Sequence, residues 1–190
     1  MLKLNKIAVT GGLSSGKTTV CRILQELGAY VVNADEIVRQ LLSSEPTIQR
    51  QVLSLLGTID RRKIANIVFS NSDLLNALEK ILHPAVFDEI ARRYTKALSE
   101  KRSGLFVAEI PLLYEAGKEK LFDAVISVVA TQEKCKQRFQ GTEKEFEKRL
   151  SHQLPPEDKA QKAHYIIENN GSLEELRKQL EKLYSELTKL

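Results

Sequence analysis

Near the start of the chain stand Gly11, Gly12, Leu13, Ser14, Ser15, Gly16, Lys17 and Thr18, with Thr19 next. This stretch fits G-x-x-x-x-G-K-[ST] at every fixed position, a spacing suited to holding nucleotide phosphates. Glycines let the backbone wrap tightly and turn several N–H groups inward as an anion nest. The loop then runs into a predicted helix, whose N-terminal dipole and free N–H groups favour a phosphate. Lys17 adds a movable cation for the β- and γ-phosphates, and the Thr18 hydroxyl is a ligand type for Mg²⁺. Gly11, Gly12, Ser14, Ser15, Gly16, Lys17, Thr18 and Thr19 are therefore the expected contacts for a nucleotide's phosphates, with Mg²⁺ on Thr18.

A phosphate-binding loop does not say where the phosphate goes. Asp35, in the run Asn33-Ala34-Asp35-Glu36, falls just past a second predicted strand. The carboxyl ends of strands line the ligand crevice of doubly wound sheets, so Asp35 is expected to face the nucleotide. Two roles are open to it. It could orient an acceptor hydroxyl and take its proton during phosphoryl transfer. It could equally be the N-cap of the helix that follows. The guanine-reading Asn-Lys-x-Asp of GTPases is absent, and 190 residues are too few for a motor module. A small-molecule kinase and a nucleotide-binding regulator without turnover both remain compatible with these residues alone.

The elements that must position these groups follow from periodicity. Residues 6–10 and 30–34 are short β-branched runs and read as strands, separated by a helix over 16–27. A helix over 35–42 completes a strand-helix-strand-helix opening, the start of a parallel α/β sheet. Residues 46–102 carry little strand signal. Leu74, Leu78, Ile81 and Ala85 mark a helix face there, continued after Pro84 by Phe87, Ile90, Tyr94 and Leu98. The near-continuous apolar runs 105–109 and 124–130 suit strands buried on both faces. Helices are predicted over 132–140 and 142–153, the second opened by a Thr-x-x-Glu capping box. Residues 165–168 form a last strand, and Ser172-Leu173-Glu174-Glu175 is a second capping box starting a helix to about Leu187.

Composition narrows the class further. Hydrophobic residues make up 42% and charged residues 28%, a globular balance. The net charge of +4 comes from basic residues interleaved with acids, not from a stripe, which argues against nucleic acid and for a small anionic ligand. Cys21 and Cys135, the two cysteines, have no metal-ligand spacing; Cys21 reads as a small core residue, and a reduced, cytoplasmic setting is expected. The N-terminal residues 1–12 do not form a signal peptide, and no run approaches the ~20 apolar residues of a membrane span.

Together these motifs make the chain resemble the dephospho-CoA kinases, P-loop enzymes that phosphorylate the ribose 3′-hydroxyl of dephospho-CoA with ATP. The resemblance is carried by TGGLSSGKTT (10–19), GAYVVNADEIVRQL (28–41), IDR (59–61), Val68-Phe69, LEKILHPAV (78–86), IPLLYEAG (110–117), FDAVISV (122–128), Arg149, Gln153 and YIIENNGSLEEL (165–176). It implies a P-loop kinase with a parallel five-stranded sheet flanked by helices. The core would be 1–45, 103–131 and 160–190, with a helical substrate-binding insertion at ~46–102 and a short helical lid at ~132–159. It further implies Asp35 as general base, Arg39, His83, Pro111 and Leu112 at the dephospho-CoA site, and Arg138 and Arg149 as lid contacts to ATP. Dephospho-CoA would be the small-molecule partner of a monomer or weak homo-oligomer, with no nucleic acid and no membrane involved. Bland roles are open as well: a helix-junction histidine for His83, plain core for Leu112 or Leu113, solvated charge for Arg39, and i,i+4 pairing for Arg149. The chain departs from the family pattern at Glu109, where Asp is frequent, and at Gln140-Gly141-Thr142, where a second lid arginine would stand.

Overall fold

The computed structural model describes residues 4–68, 70–100, 102 and 104–190. Phe69 and residue 103, where the core is expected to resume, lie outside the described residues. Two compact units are present, one formed by the chain up to Asn33 with Tyr94–Leu190, the other by Ala34–Arg93.

The first unit is built on five parallel strands: β1 (Leu4–Gly11), β2 (Tyr30–Asn33), β3 (Gly104–Glu109), β4 (Ala124–Val129) and β5 (Tyr165–Glu168). Their spatial order is β2-β3-β1-β4-β5. β1 is central, and its Ile7, Ala8 and Val9 are fully buried because both faces are covered by helices. From β1 the chain departs toward β2, and from β3 it departs past β1 to β4. The connections of these two neighbouring strands thus diverge at their carboxyl ends, which opens a ligand crevice there.

One face of the sheet is covered by α1 (Lys17–Glu26) and α9 (Leu173–Leu187). Val20, Ile23 and Leu24 of α1 meet Leu176, Leu180, Leu183 and Leu187 of α9 over Ile7, Val9, Ile126 and Val128. Each such buried aliphatic side chain contributes about 1.5–3 kcal/mol. Cys21 lies in this core and both cysteines are free. Between β4 and β5 run α6 (Gln132–Arg138), α7 (Glu143–Leu150) and α8 (Pro156–Lys162). Both expected capping boxes are present, Thr142 with Glu145 and Ser172 with Glu175. The helix expected over 142–153 stops at Leu150, and α8 was not foreseen. α8 opens on Pro156, since a proline in the first turn starts a helix because that N–H has no partner to lose.

The second unit is helical: α2 (Ala34–Ser44), α3 (Pro46–Leu56), α4 (Arg61–Val68) and most of α5 (Ser72–Ser99). Leu42, Ile48, Val52, Ile64, Val68, Leu78 and Leu82 make its core. α5 runs through Pro84 without ending, so the two predicted faces belong to one helix. On α5 Glu89 accepts from Arg92 at 2.6 and 2.8 Å and from Arg93 at 2.7 Å. Hydrogen bonds from Arg92 lead in holding the Glu89 carboxyl down, to about 2 from an ordinary 4.5. A depressed carboxylate adds stability above its unfolded value and loses it as pH falls through the folded one. Glu89→Gln should therefore flatten the loss of stability between about pH 4.5 and 2. Urea unfolding across that window checks this; an unchanged acid slope would contradict it.

Candidate active site

β1 ends at Gly11, and α1 starts at Lys17 with Gly16 as its N-cap. Gly11 has φ +140°, and a Cβ there would stand 2.2 Å from the Val128 carbonyl oxygen on the neighbouring strand. Gly16 has φ +99°, and a Cβ would stand 2.1 Å from Asn169 Nδ2. Both positions need glycine for conformation and for space. Having no side chain, Gly16 cannot cap α1, so the first N–H groups of the helix keep their capacity for an anion. Ser14 also takes a left-handed conformation, at φ 56°. Lys17 is buried and its Nζ donates to the carbonyls of Gly12 at 2.7 Å and Gly11 at 3.3 Å. The Ser15 hydroxyl is buried with no hydrogen-bond partner among the described residues. A tight loop with an inward cation and an unsatisfied buried hydroxyl fits a phosphate chain. Gly16→Ala should cost about 1–3 kcal/mol of stability through backbone strain and push Asn169 aside. A thermal melt with and without ATP checks this; unchanged melting and an unchanged ATP-induced shift would contradict it.

At the carboxyl end of β3, Glu109 is 5% exposed. Its Oε1 accepts from the Thr18 hydroxyl at 2.8 Å and its Oε2 from Asn33 Nδ2 at 2.6 Å. The buried Cys21 thiol is pushed well up, first by burial and then by Glu109, with Lys17 opposing, so it is not a nucleophile. Among the described residues no group of three or more His, Cys, Asp or Glu could hold a metal ion. The Thr18 hydroxyl and the Glu109 carboxylate are nonetheless hard oxygen donors beside a phosphate cradle. That donor set fits Mg²⁺, which uses one or two protein groups together with substrate phosphates.

Arg138, at the end of α6, reaches the loop: Nη1 lies 3.4 Å from the Ser15 carbonyl and Nη2 lies 3.0 Å from that of Asn169. Asn169 Nδ2 donates to the same Ser15 carbonyl at 2.9 Å. Arg149, on α7, lies over the Phe139 ring at 5.5 Å, and Phe139 meets Phe146 edge-on at 5.3 Å. The structure thus brings Arg138 to the P-loop and sets Arg149 over Phe139, which packs edge-on against Phe146. After β3 the Pro111 carbonyl accepts from Thr10 Oγ1 at 3.2 Å and from Lys159 Nζ at 2.8 Å. Leu113 is fully buried core, and Leu112 is half-buried.

In the second unit Asp35 and Arg39 are exposed, one turn apart on α2. Asp35 lies inside the first turn, after Ala34, so the N-cap role is excluded. Among the described residues neither makes an ion pair. His83 is half-buried in mid-α5, directly before Pro84. It is an interior helix residue, which removes the reading of it as a junction.

Residues 5–175 match the family model described as dephospho-CoA kinase. The chain belongs to the dephospho-CoA kinase family. It is 51% identical over 199 residues to the dephospho-CoA kinase of Protochlamydia amoebophila (strain UWE25), covering 98% of either chain. A solved structure from Thermus thermophilus superposes with a TM-score of 0.80 at 31% identity, over 97% of this chain and 98% of that one. The dephospho-CoA kinase of Campylobacter jejuni gives 0.71 at 26% identity, over 98% of both chains.

Within this dephospho-CoA kinase family member, sequence reasoning passed over two groups, one at the loop and one at the segment after β3. Asn169 closes β5 and ties Ser15; its signal was its place at the carboxyl end of a strand. Lys159 sits in the charge-mixed run PPEDKAQK and reads as a solvated residue, yet it is fully buried.

Proposed function

We propose that this kinase transfers the γ-phosphoryl group of ATP to the ribose 3′-hydroxyl of dephospho-CoA, giving coenzyme A and ADP. The observation that carries this reading is the family match along nearly the whole chain, on a fold whose P-loop holds Lys17 on the Gly12 carbonyl and Thr18 on Glu109 of β3. Backbone N–H groups of the loop and the Lys17 ammonium stabilise charge on the β- and γ-phosphates, most strongly as transfer proceeds. Thr18, backed by Glu109, would hold Mg²⁺, which when bound neutralises phosphate charge. Asp35 orients the 3′-hydroxyl and accepts its proton while the new O–P bond forms and the bond to the leaving ADP oxygen breaks. Arg138 and Arg149 contact ATP and help exclude water. Arg39, His83, Pro111 and Leu112 bind dephospho-CoA.

No helix among the described residues is long and apolar enough to cross a membrane. Two free buried cysteines fit a reduced cytoplasmic setting, and monomer or weak homo-oligomer is the proposed state. ADP release measured with and without dephospho-CoA tests the proposal. Turnover that requires dephospho-CoA supports it; turnover only with another acceptor, or ATP binding without turnover, overturns it.

A further inference from the structure

The side chain of Lys159 is fully buried. Its Nζ joins two groups of the segment after β3, the Pro111 carbonyl at 2.8 Å and Glu115 Oε1 at 2.8 Å. Glu115 Oε1 also accepts from the Leu154 N–H at 2.9 Å, so one carboxylate gathers the approach to α8 and α8 itself. The same Pro111 carbonyl is held by Thr10 Oγ1, from the end of β1 just before the P-loop. At its start α8 lies against that loop, since a Cβ on Gly12 would stand 3.0 Å from Pro156 Cγ. Three functional segments therefore meet on α8: the phosphate loop, the 111–117 segment and the polypeptide leaving the lid helices.

Burying an ammonium is a poor way to gain stability, because an apolar side chain of similar size packs as well without desolvation. What an ammonium does that an apolar group cannot is fix a carbonyl and a carboxylate at one point. We propose that Lys159 is a positioning residue for the transfer reaction, setting the 111–117 segment, on the acceptor side, relative to the phosphate loop. The inference deepens the proposed function and rests on its placement of Pro111 and Leu112 at dephospho-CoA.

The test compares Lys159→Met, Lys159→Arg and the double variant Lys159→Met with Glu115→Met. Lys159→Met should raise KM for dephospho-CoA on the order of 10-fold or more while KM for ATP stays within about twofold. Lys159→Arg, which keeps a donor, should recover part of that loss. The double variant leaves no buried charge alone, so it should recover melting temperature yet keep the raised KM, because the Pro111 carbonyl has lost its bond from Lys159 and keeps only the longer one from Thr10 Oγ1. Should Lys159→Met alone fail to fold, the double variant carries the test. Hydrogen exchange gives a readout free of turnover: the amides of Ala116, Gly117 and Lys118, which donate within the segment, should exchange faster in the double variant while those of α9 do not change. Wild-type KM in the double variant, a parallel rise in both KM values, or unaltered exchange at these amides overturns the positioning role. Absence of dephospho-CoA turnover in the wild-type protein overturns the functional reading instead, and the exchange result then decides whether Lys159 orders the segment.

Discussion

Lys17→Ala is expected to lower kcat for phosphoryl transfer by about 10²–10³-fold, the usual loss when one preorganised donor to developing charge is removed. The physical reason lies in where the ammonium sits. It is buried at the root of α1, with its hydrogen bonds directed to the loop's own Gly11 and Gly12 carbonyls, so it has little reorganisation to undergo when a phosphate arrives. In a low-dielectric setting a cation so held acts more strongly than one in water. His83→Ala should cost far less, since His83 is a half-buried residue of mid-α5 in the helical unit. Steady-state kinetics at saturating ATP and dephospho-CoA, with circular dichroism to check folding, measures both. Equal losses in the two variants would remove electrostatic stabilisation by the loop as the dominant contribution.

Asp35→Asn is expected to stop transfer, with kcat lowered by about 10²–10⁴-fold as for loss of a general base. ATP binding should be unchanged, because no phosphate contact is assigned to Asp35. Melting temperature should hardly move either. Asp35 is exposed, inside the first turn of α2, and makes no ion pair among the described residues. An exposed carboxylate at a helix start contributes only about 0.3–1 kcal/mol through the dipole. The variant thus separates chemistry from folding cleanly. If kcat survives the substitution, Asp35 serves the helix start and the proton leaves by another route.

The loop was legible in the sequence because its requirements are local. Backbone conformations at Gly11 and Gly16 and the type of residue 17 are fixed by a few neighbours, so they leave a pattern. Strands were legible because parallel strands buried on two faces are continuous apolar runs, as 105–109 and 124–129 are. The capping boxes were legible for the same local reason. Tertiary roles left weaker traces. Lys159 and Asn169 act on carbonyls 48 and 154 residues away, and a charged or amide side chain in a polar run is indistinguishable from a solvated one until the chain is folded. The role of Glu109 was half visible: the family resemblance marked the position as one where Asp is frequent, but its bonds to Thr18 and Asn33 depend on strands β2 and β3 lying side by side. Pro84 left a junction open as one reading of His83, since proline disfavours a helix interior locally, but the helix face continued past it in the sequence and the burial of Leu82, Val86 and Ile90 prevails.

The central place of β1 has a consequence for biogenesis. Leu4 pairs with Gly104 and Ile7 with Ala124, so β1, which precedes the other strands of its sheet in the chain, has both its partners roughly a hundred residues downstream. At about 5–20 residues per second, translation leaves that strand without neighbours for about 5–20 s. During this interval Ile7, Ala8 and Val9 present apolar side chains on both faces and a bare main chain on both edges, the form most readily captured by a nascent-chain chaperone. Slowing elongation after codon 33, before β3 emerges, should therefore lower the soluble yield more than slowing it after codon 129, when both partners of β1 have been made.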